Sequence, residues 1–378
     1  MKACFFWLAQ ILVIAPAAAR GDATRLQSWI DEAPPHGEVI VPKGAWSQPI
    51  TITKPIRLRG EAVDACVIEV TADQPAFRIT TKEEVVLESL TIRWQRATSE
   101  RLSEPLAAVW LRDSPVKLRS VRFYAPGNNV RCPSAISASG FSDLTVEESH
   151  FEGFDFTVQF FAGAKGRVAD SVVWKPGHCG ITVGPDCSVE VIRCVVAGSG
   201  YHGIRCTGGR LMASDNLVIS NQNRGFYLGN KSATGAIRNN VIQGNGTGIS
   251  GFAQSEVEVA NNLISKSDFA GLDARDTCRL QVRNNLFVDN TRGLVLFKES
   301  GKNVNSVATN LFWGNQKDTE GFERMPEVVR ADPQLTNLAG GEFIPRDPAL
   351  LKRHGLRDPT PMKALWVKWT ALRENARE

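Results

Sequence analysis

Excess charge is the first thing this sequence lacks. Its 44 Lys and Arg face 40 Asp and Glu, a net of +4, so there is no concentrated basic face for nucleic acid. After the first twenty residues no apolar run is long enough to span a bilayer. Histidine and methionine are scarce, five and four, and none pair at ligand spacing, which speaks against a periplasmic metal-handling accessory protein. The cysteines form no paired C-x-x-C knuckles, so a zinc site is not expected. The middle of the chain has no helical periodicity, which excludes a helical repeat. What is present is glycine, 32 residues, and phenylalanine, 18, against three tyrosines. That balance fits a turn-rich β protein.

The first residues, MKACFFWLAQILVIAPAAAR, place one Lys before an apolar run and end in Ala17-Ala18-Ala19. This is the pattern of a secretory leader cleaved near Ala19, and the run is too short to anchor the chain. The mature protein is therefore expected to be secreted or periplasmic, monomeric, and without stable membrane insertion. Removing Cys4 with the leader leaves Cys66, Cys132, Cys179, Cys187, Cys194, Cys206 and Cys278. Most read as small core residues, with Cys179 and Cys187 a candidate disulfide pair.

A repeat dominates the rest. Segments such as SVEVIRCVVAGSGYHGIRC and EVEVANNLISKSDFAGLDA share one plan. An alternating strand is followed by a polar anchor, a second apolar pair, a turn, and Gly-apolar-x-apolar. The anchors are Ser149, Ser171, Cys194, Asn216, Asn240, Asn262, Asn285 and Asn310, spaced 22 to 25 residues apart. Gly180, Gly203, Gly225, Gly248, Gly271 and Gly293 recur in phase. Upstream the pattern loosens: Ser89, Ser120 and Ser149 stand 31 and 29 residues apart, with longer loops expected at 94–107 and 124–134. Period-two alternation marks strands with one buried face. Three short strands per unit make one coil of a parallel β-helix, each coil about 4.8 Å above the last.

The expected architecture is all-β: a single-stranded right-handed parallel β-helix of three sheets and about ten coils. It divides into a leader (1–19), an N-terminal cap (20–49), the β-helix (50–315) and a C-terminal tail (316–378). An open stack needs covered ends. Leu26, Trp29, Ile30 and Ala33 share one helical face, a plug for the first end. MKALWVKWTALRENARE reads as an amphipathic helix that would cover the other.

The segment LQSWIDEAPPHGEVIVPKGAWSQPITITKPIRLRGE, the Asn-Asn-apolar units at 239–241, 261–263 and 284–286, and ADPQLTN with GEFIPRDPAL resemble the pectate-lyase-like right-handed β-helix superfold. The resemblance implies that the glycine-led strands form sheet 1, whose outer face is the substrate groove. The strands before the anchors form sheet 2, and the short strands after them form sheet 3. It also implies stacked asparagines in one turn. It names no single activity, since the superfold hosts lyases, hydrolases, epimerases and non-enzymes.

In sheet 1, Ile181 and Val183, Ile204 and Cys206, and Phe226 and Leu228 should face inward. The residues between them then form an outward column: Gln159, Thr182, Arg205, Tyr227, Ser250, Asp273 and Val295, with Arg78, Trp110 and Ser137 in earlier coils. The turn before each strand adds His178, Tyr201, His202, Arg224 and Arg292 to the same edge. His202, Arg205, Tyr227 and Arg224 are the candidate catalytic set. His178, Tyr201, Gln159, Asp273, Arg292 and Trp110 are candidate substrate contacts. A uronate loses the proton α to its carboxylate only once that charge is neutralised, which suits Arg205 or Arg224. His202 would take the proton, and Tyr227 or Tyr201 would serve as acid. Polygalacturonase chemistry needs clustered carboxylates, but the column offers Asp273 alone, with Asp268 and Asp276 at turns. The Asn-Thr-Asp, Asp-Asp, Gly-His-Gly and Asp-Pro-His motifs of related enzymes do not occur. No cofactor is expected; a calcium ion stays open as an alternative charge neutraliser, although no acidic cluster marks a site for it. The expectation is a calcium-independent lyase or epimerase on an acidic polysaccharide. The alternative is a non-catalytic carbohydrate-binding or cell-surface structural protein.

Overall fold

A computed structural model describes residues 23–375, apart from 99–105, 126–132, 230–232, 298–305, 323–327, 351–359 and positions 336, 344 and 348. The leader, Cys4, Cys132 and the centres of both expected long loops lie outside the described residues.

The chain winds through three parallel sheets in strict rotation. Gly37–Val41 enters sheet 2, Gly44–Trp46 sheet 3 and Ile50–Ile52 sheet 1, and the cycle then repeats. Sheets 1 and 2 hold 12 strands each and sheet 3 holds 13, giving about eleven turns of a parallel β-helix. Every strand between the first and last of its sheet pairs with its equivalents one turn up and one turn down, so few sheet edges are left to pair with other chains. Inside runs one continuous core, with Ile181, Ile204, Phe226, Ile249, Leu272 and Leu294 stacked from sheet 1.

The anchors explain how polar residues survive in that interior. Asn216 N and Nδ2 both donate to Asn240 Oδ1 at 2.9 Å. Asn240 does the same to Asn262, Asn262 to Asn285 and Asn285 to Asn310. Each residue before an Asn anchor adopts positive φ, such as Asn239 (57°) and Asn261 (58°), a conformation Asn tolerates. The same rule corrects the upstream register. Ser89 and Ser120 have positive φ themselves, so the true anchor positions are the buried Leu90 and Val121.

A second ladder runs five residues later, in the turn leading to sheet 1. Asn221 donates to Asn245 Oδ1 (3.0 and 2.9 Å) and Asn290 to Asn315 Oδ1 (3.0 Å). Gly203 follows from this packing. A Cβ there would stand 2.8 Å from Gly225 O and 2.9 Å from Asn221 Nδ2.

The two helices behave differently. Helix α1 (Ala23–Glu32) plugs the first end as expected, with Leu26, Trp29 and Ile30 in the core. Trp29 meets Trp46 edge-on at 5.6 Å. Helix α2 (Thr360–Asn375) does not cover the last coil. Met362, Leu365 and Trp369 pack instead on the outer face of sheet 3, over Val195, Leu217, Val241 and Leu263. That outer face is largely apolar from Val172 to Val288, broken by Gln243 and Ser265, and covering it removes apolar surface from water. Cys66, Cys179, Cys187, Cys194, Cys206 and Cys278 are free thiols, so the expected Cys179–Cys187 pair is not formed.

Candidate functional site on sheet 1

The outward column has the expected register. Arg78, Trp110, Ser137, Gln159, Thr182, Arg205, Tyr227, Ser250, Asp273 and Val295 are successive rungs of sheet 1. It faces outward but is not open, because Ser137, Gln159, Thr182, Ser250, Asp273 and Val295 are all buried.

A second outward column stands beside it. His202 and Arg224 open the strands His202–Cys206 and Arg224–Leu228 and pair as adjacent rungs, so they are strand residues and not the turn residues expected. His202 and Ile204 are two apart, yet Ile204 is in the core while His202 stacks on outward Tyr227. The alternation breaks at Gly203, where the close approach of Gly225 and Asn221 leaves no room for a side chain.

Six of the predicted residues converge. His178 lies 4.8 Å from Tyr201, Tyr201 3.9 Å from His202, and His202 4.8 Å from Tyr227 at a 17° interplanar angle. Arg205 and Arg224 reach Tyr227 at 5.9 and 5.7 Å, within cation–π range. Phe156 and Phe252 extend the ring stack at its two ends, at 4.8 and 5.0 Å. Tyr201 is 39% exposed while His202 is 2% exposed.

The electrostatics follow from that burial. His202 is pushed down to about 3, first by burial and then by the charges of Arg224, Arg205 and His178, so its ring is neutral at physiological pH. Burial also lowers the pKa of Arg224, an effect that Asp273 opposes. Arg224 Nε donates to Ser250 Oγ at 2.8 Å. His178 Nδ1 lies 3.0 Å from Cys179 Sγ, a thiol that burial raises to about 11 and so keeps protonated. Thr182 Oγ1, His202 Nδ1, Arg205 Nε and Asp273 Oδ1 are buried and without a hydrogen-bond partner among the described residues. Buried polar atoms are normally satisfied, and these four share the face that carries the ring stack.

The remaining candidates take no part in the ring stack. Asp273 is fully buried, and its Oδ2 accepts from Arg275 Nε at 2.8 Å; it acts as counter-charge to the arginines and not as an exposed contact. Gln159 accepts from Ser134 Oγ at 2.5 Å. Arg292 is held by Glu320 at 3.0 Å and lies over Phe269. Trp110 lies under the Arg78 guanidinium at 4.7 Å, four rungs or about 19 Å from Arg205. Sequence reasoning missed Phe252, Arg275 and Phe297. Arg275 packs on both phenylalanine rings, at 5.3 and 4.3 Å. Each follows a column residue by two positions, so extending the alternation one step would have found them. Among the described residues no group of three or more His, Cys, Asp or Glu converges as a metal site. Nor is any helix among them long and apolar enough to cross a membrane.

Comparison with known proteins yields a family and a fold. The family described as "Right handed beta helix region" matches residues 76–234 and 179–322. No curated protein matches the sequence. Among solved structures, a point mutant of the periplasmic alginate epimerase AlgG is similar at 12% identity and TM-score 0.61, over 79% of this chain and 83% of that one. The PL6-family alginate lyase AlyGC is similar at 13% identity and TM-score 0.57. That match covers 90% of this chain but 56% of AlyGC's own length. PfbA, a surface adhesin of Streptococcus pneumoniae, is similar at 13% identity and TM-score 0.53, over 80% and 88% of the two chains. At these identities the likeness is one of fold.

Proposed function

The chain belongs to the right-handed β-helix family, and from that premise we propose that it acts on an acidic, uronate-containing polysaccharide outside the cytoplasm, as a lyase or a C5-epimerase. The observation that carries this reading is a neutral, buried imidazole between two arginines, with Nδ1 of the one and Nε of Arg205 unpartnered. A uronate carboxylate between Arg205 and Arg224 gains charge-assisted hydrogen bonds and loses the negative charge that protects its α proton. His202 then takes that proton, and the electron pair of the C5–H bond moves into the carboxylate as an enolate held by the arginines. In a lyase the C4–O bond breaks, and the leaving oxygen takes a proton from Tyr201 or Tyr227. In an epimerase a proton returns to C5 from the opposite face.

The carboxylate also tunes the base. Arg224 and Arg205 are the causes after burial that depress His202. An anion between them offsets their repulsion and raises the basicity of the imidazole only when a uronate is bound. The extracellular or periplasmic placement rests on the leader pattern at 1–19.

The test is incubation with alginate, polygalacturonate, hyaluronate and chondroitin sulfate. Ultraviolet absorbance reports unsaturated uronates, and proton NMR reports inverted C5 centres. One polymer should react with wild type and not with His202→Ala; four inert polymers would defeat the reading. Binding without chemistry is the second reading, favoured by the 2% exposure of His202, which leaves little of the ring within a ligand's reach. It predicts retention of a polymer by wild type and His202→Ala alike, lost in Arg205→Ala.

A further inference from the structure

A second recess lies on a different face. Between helix α2 and the outer face of sheet 3 is a cavity of about 870 Å³, within the size range of small-ligand sites. Tyr124, His150, Glu152 and Trp174 form its sheet wall, and Lys368 and Leu372 its helix wall.

The strand register arranges these groups. Tyr124, Glu152 and Trp174 are successive rungs of one outward column. The two aromatic side chains therefore stand two rungs apart, about 9.6 Å, with a carboxylate between them. His150 tilts against Tyr124 at 5.8 Å between ring centroids, and its Nε2 lies 3.6 Å from Glu152 Oε2. Trp174 is 7% exposed, and its Nε1 has no acceptor among the described residues.

This recess marks where the face changes character. From Val172 onward the outer face of sheet 3 is largely apolar and covered by the tail. From His150 back it is polar, and the last turns of α2 form its lip. The cations here are already engaged. Arg122 pairs with Asp64, Lys368 Nζ donates to Asp170 O at 3.0 Å, and Lys175 Nζ lies over the Trp174 ring at 5.1 Å. A polyanion entering would meet the carboxylates of Glu148 and Glu152, both in the lining. A neutral polyhydroxyl ligand suits the recess better, with the Tyr124 ring for its C–H surface and carboxylates to accept from its hydroxyls.

The geometry points to a neutral-saccharide binding site between α2 and sheet 3, separate from the sheet 1 face and independent of the chemistry proposed there. Such a site would hold a neutral glycan beside the acidic one.

Isothermal titration of the full chain with the tetraoses of β-1,4-linked glucose, xylose, mannose and N-acetylglucosamine tests it. At least one should bind with Kd at or below about 1 mM. Tyr124→Ala should weaken that binding about tenfold and Glu152→Gln about fivefold, while Arg205→Ala leaves it unchanged. Should Tyr124→Ala fail to fold, Glu152→Gln, which keeps the side chain's shape and is 38% exposed, carries the test. The inference is overturned if none of the four binds at about 10 mM. It is also overturned if binding falls with Arg205→Ala and survives both Tyr124→Ala and Glu152→Gln.

Discussion

Two columns of polar side chains climb this molecule, and they treat hydrogen bonding in opposite ways. In the turn after sheet 2, Asn216, Asn240, Asn262, Asn285 and Asn310 are fully buried, and each gives and receives bonds from the coils above and below. On the outer face of sheet 1, Thr182, His202, Arg205 and Asp273 are stacked by the same repeat but keep atoms without partners. A solenoid that satisfies one column so completely has the means to satisfy the other. On the function proposed above, the first column is scaffold and the second is the place where stability is given up for a ligand.

The largest effect that would break this contrast is on activity. His202→Phe keeps the ring stack with Tyr227 but removes the base, and should lower turnover about 10³-fold while leaving the thermal transition in place. A parallel fall in activity and melting temperature would instead make His202 part of the scaffold. Next comes the ladder. Asn240→Leu strands the Asn216 donors and removes Asn240's own bonds, and urea unfolding should show a loss of about 3 kcal/mol. An effect well below that would remove the distinction between the columns.

A smaller effect sharpens the comparison through pH. His202 is depressed to about 3 in the folded protein, from 6.5. The folded state therefore refuses a proton that the unfolded state accepts. This contribution to stability is whole above pH 6.5 and is lost as pH falls from 6.5 towards 3, with a slope of up to about 1.4 kcal/mol per pH unit. Urea unfolding across that window should show the slope in wild type and a shallower one in His202→Phe. The smallest effect is that of Asp273→Asn, which keeps an acceptor for Arg275 but removes the buried charge. It should cost about 1 kcal/mol and weaken polymer binding without abolishing it.

Much of the fold was legible because the repeat enforces it. A spacing of 22 to 25 residues, anchors and phased glycines were enough to give the strands, their faces and the rung partners of Arg205 and Tyr227. The convergence of His178, Tyr201, His202, Arg205, Arg224 and Tyr227 followed from that register. What was not legible came from contacts that no period encodes. The break in alternation at Gly203, which turns His202 outward, depends on Asn221 and on the next coil's glycine. Helix α2 was recognisable as amphipathic, but its seat was decided by the outer face of sheet 3, whose Val-Val, Leu-Val-Ile and Leu-Ile pairs are apolar on both sides. The second asparagine ladder was visible as an Asn five residues after Asn216, Asn240, Asn285 and Asn310, broken by Ser267 after Asn262. The burial of Asp273 was hidden because the side chains covering it, Arg275 among them, lie one step beyond the column.

The central claim is that the unpartnered Arg205 Nε, beside the buried His202 imidazole, awaits a uronate carboxylate. NMR titration of the His202 imidazole, assigned by its loss in His202→Phe, tests this most directly, without ligand and with alginate or galacturonate tetramers. The account predicts a free-state pKa far below the ordinary histidine value, and a rise of at least about one unit when one of the tetramers binds. An imidazole that titrates normally without ligand, or one that no acidic tetramer moves, would contradict it.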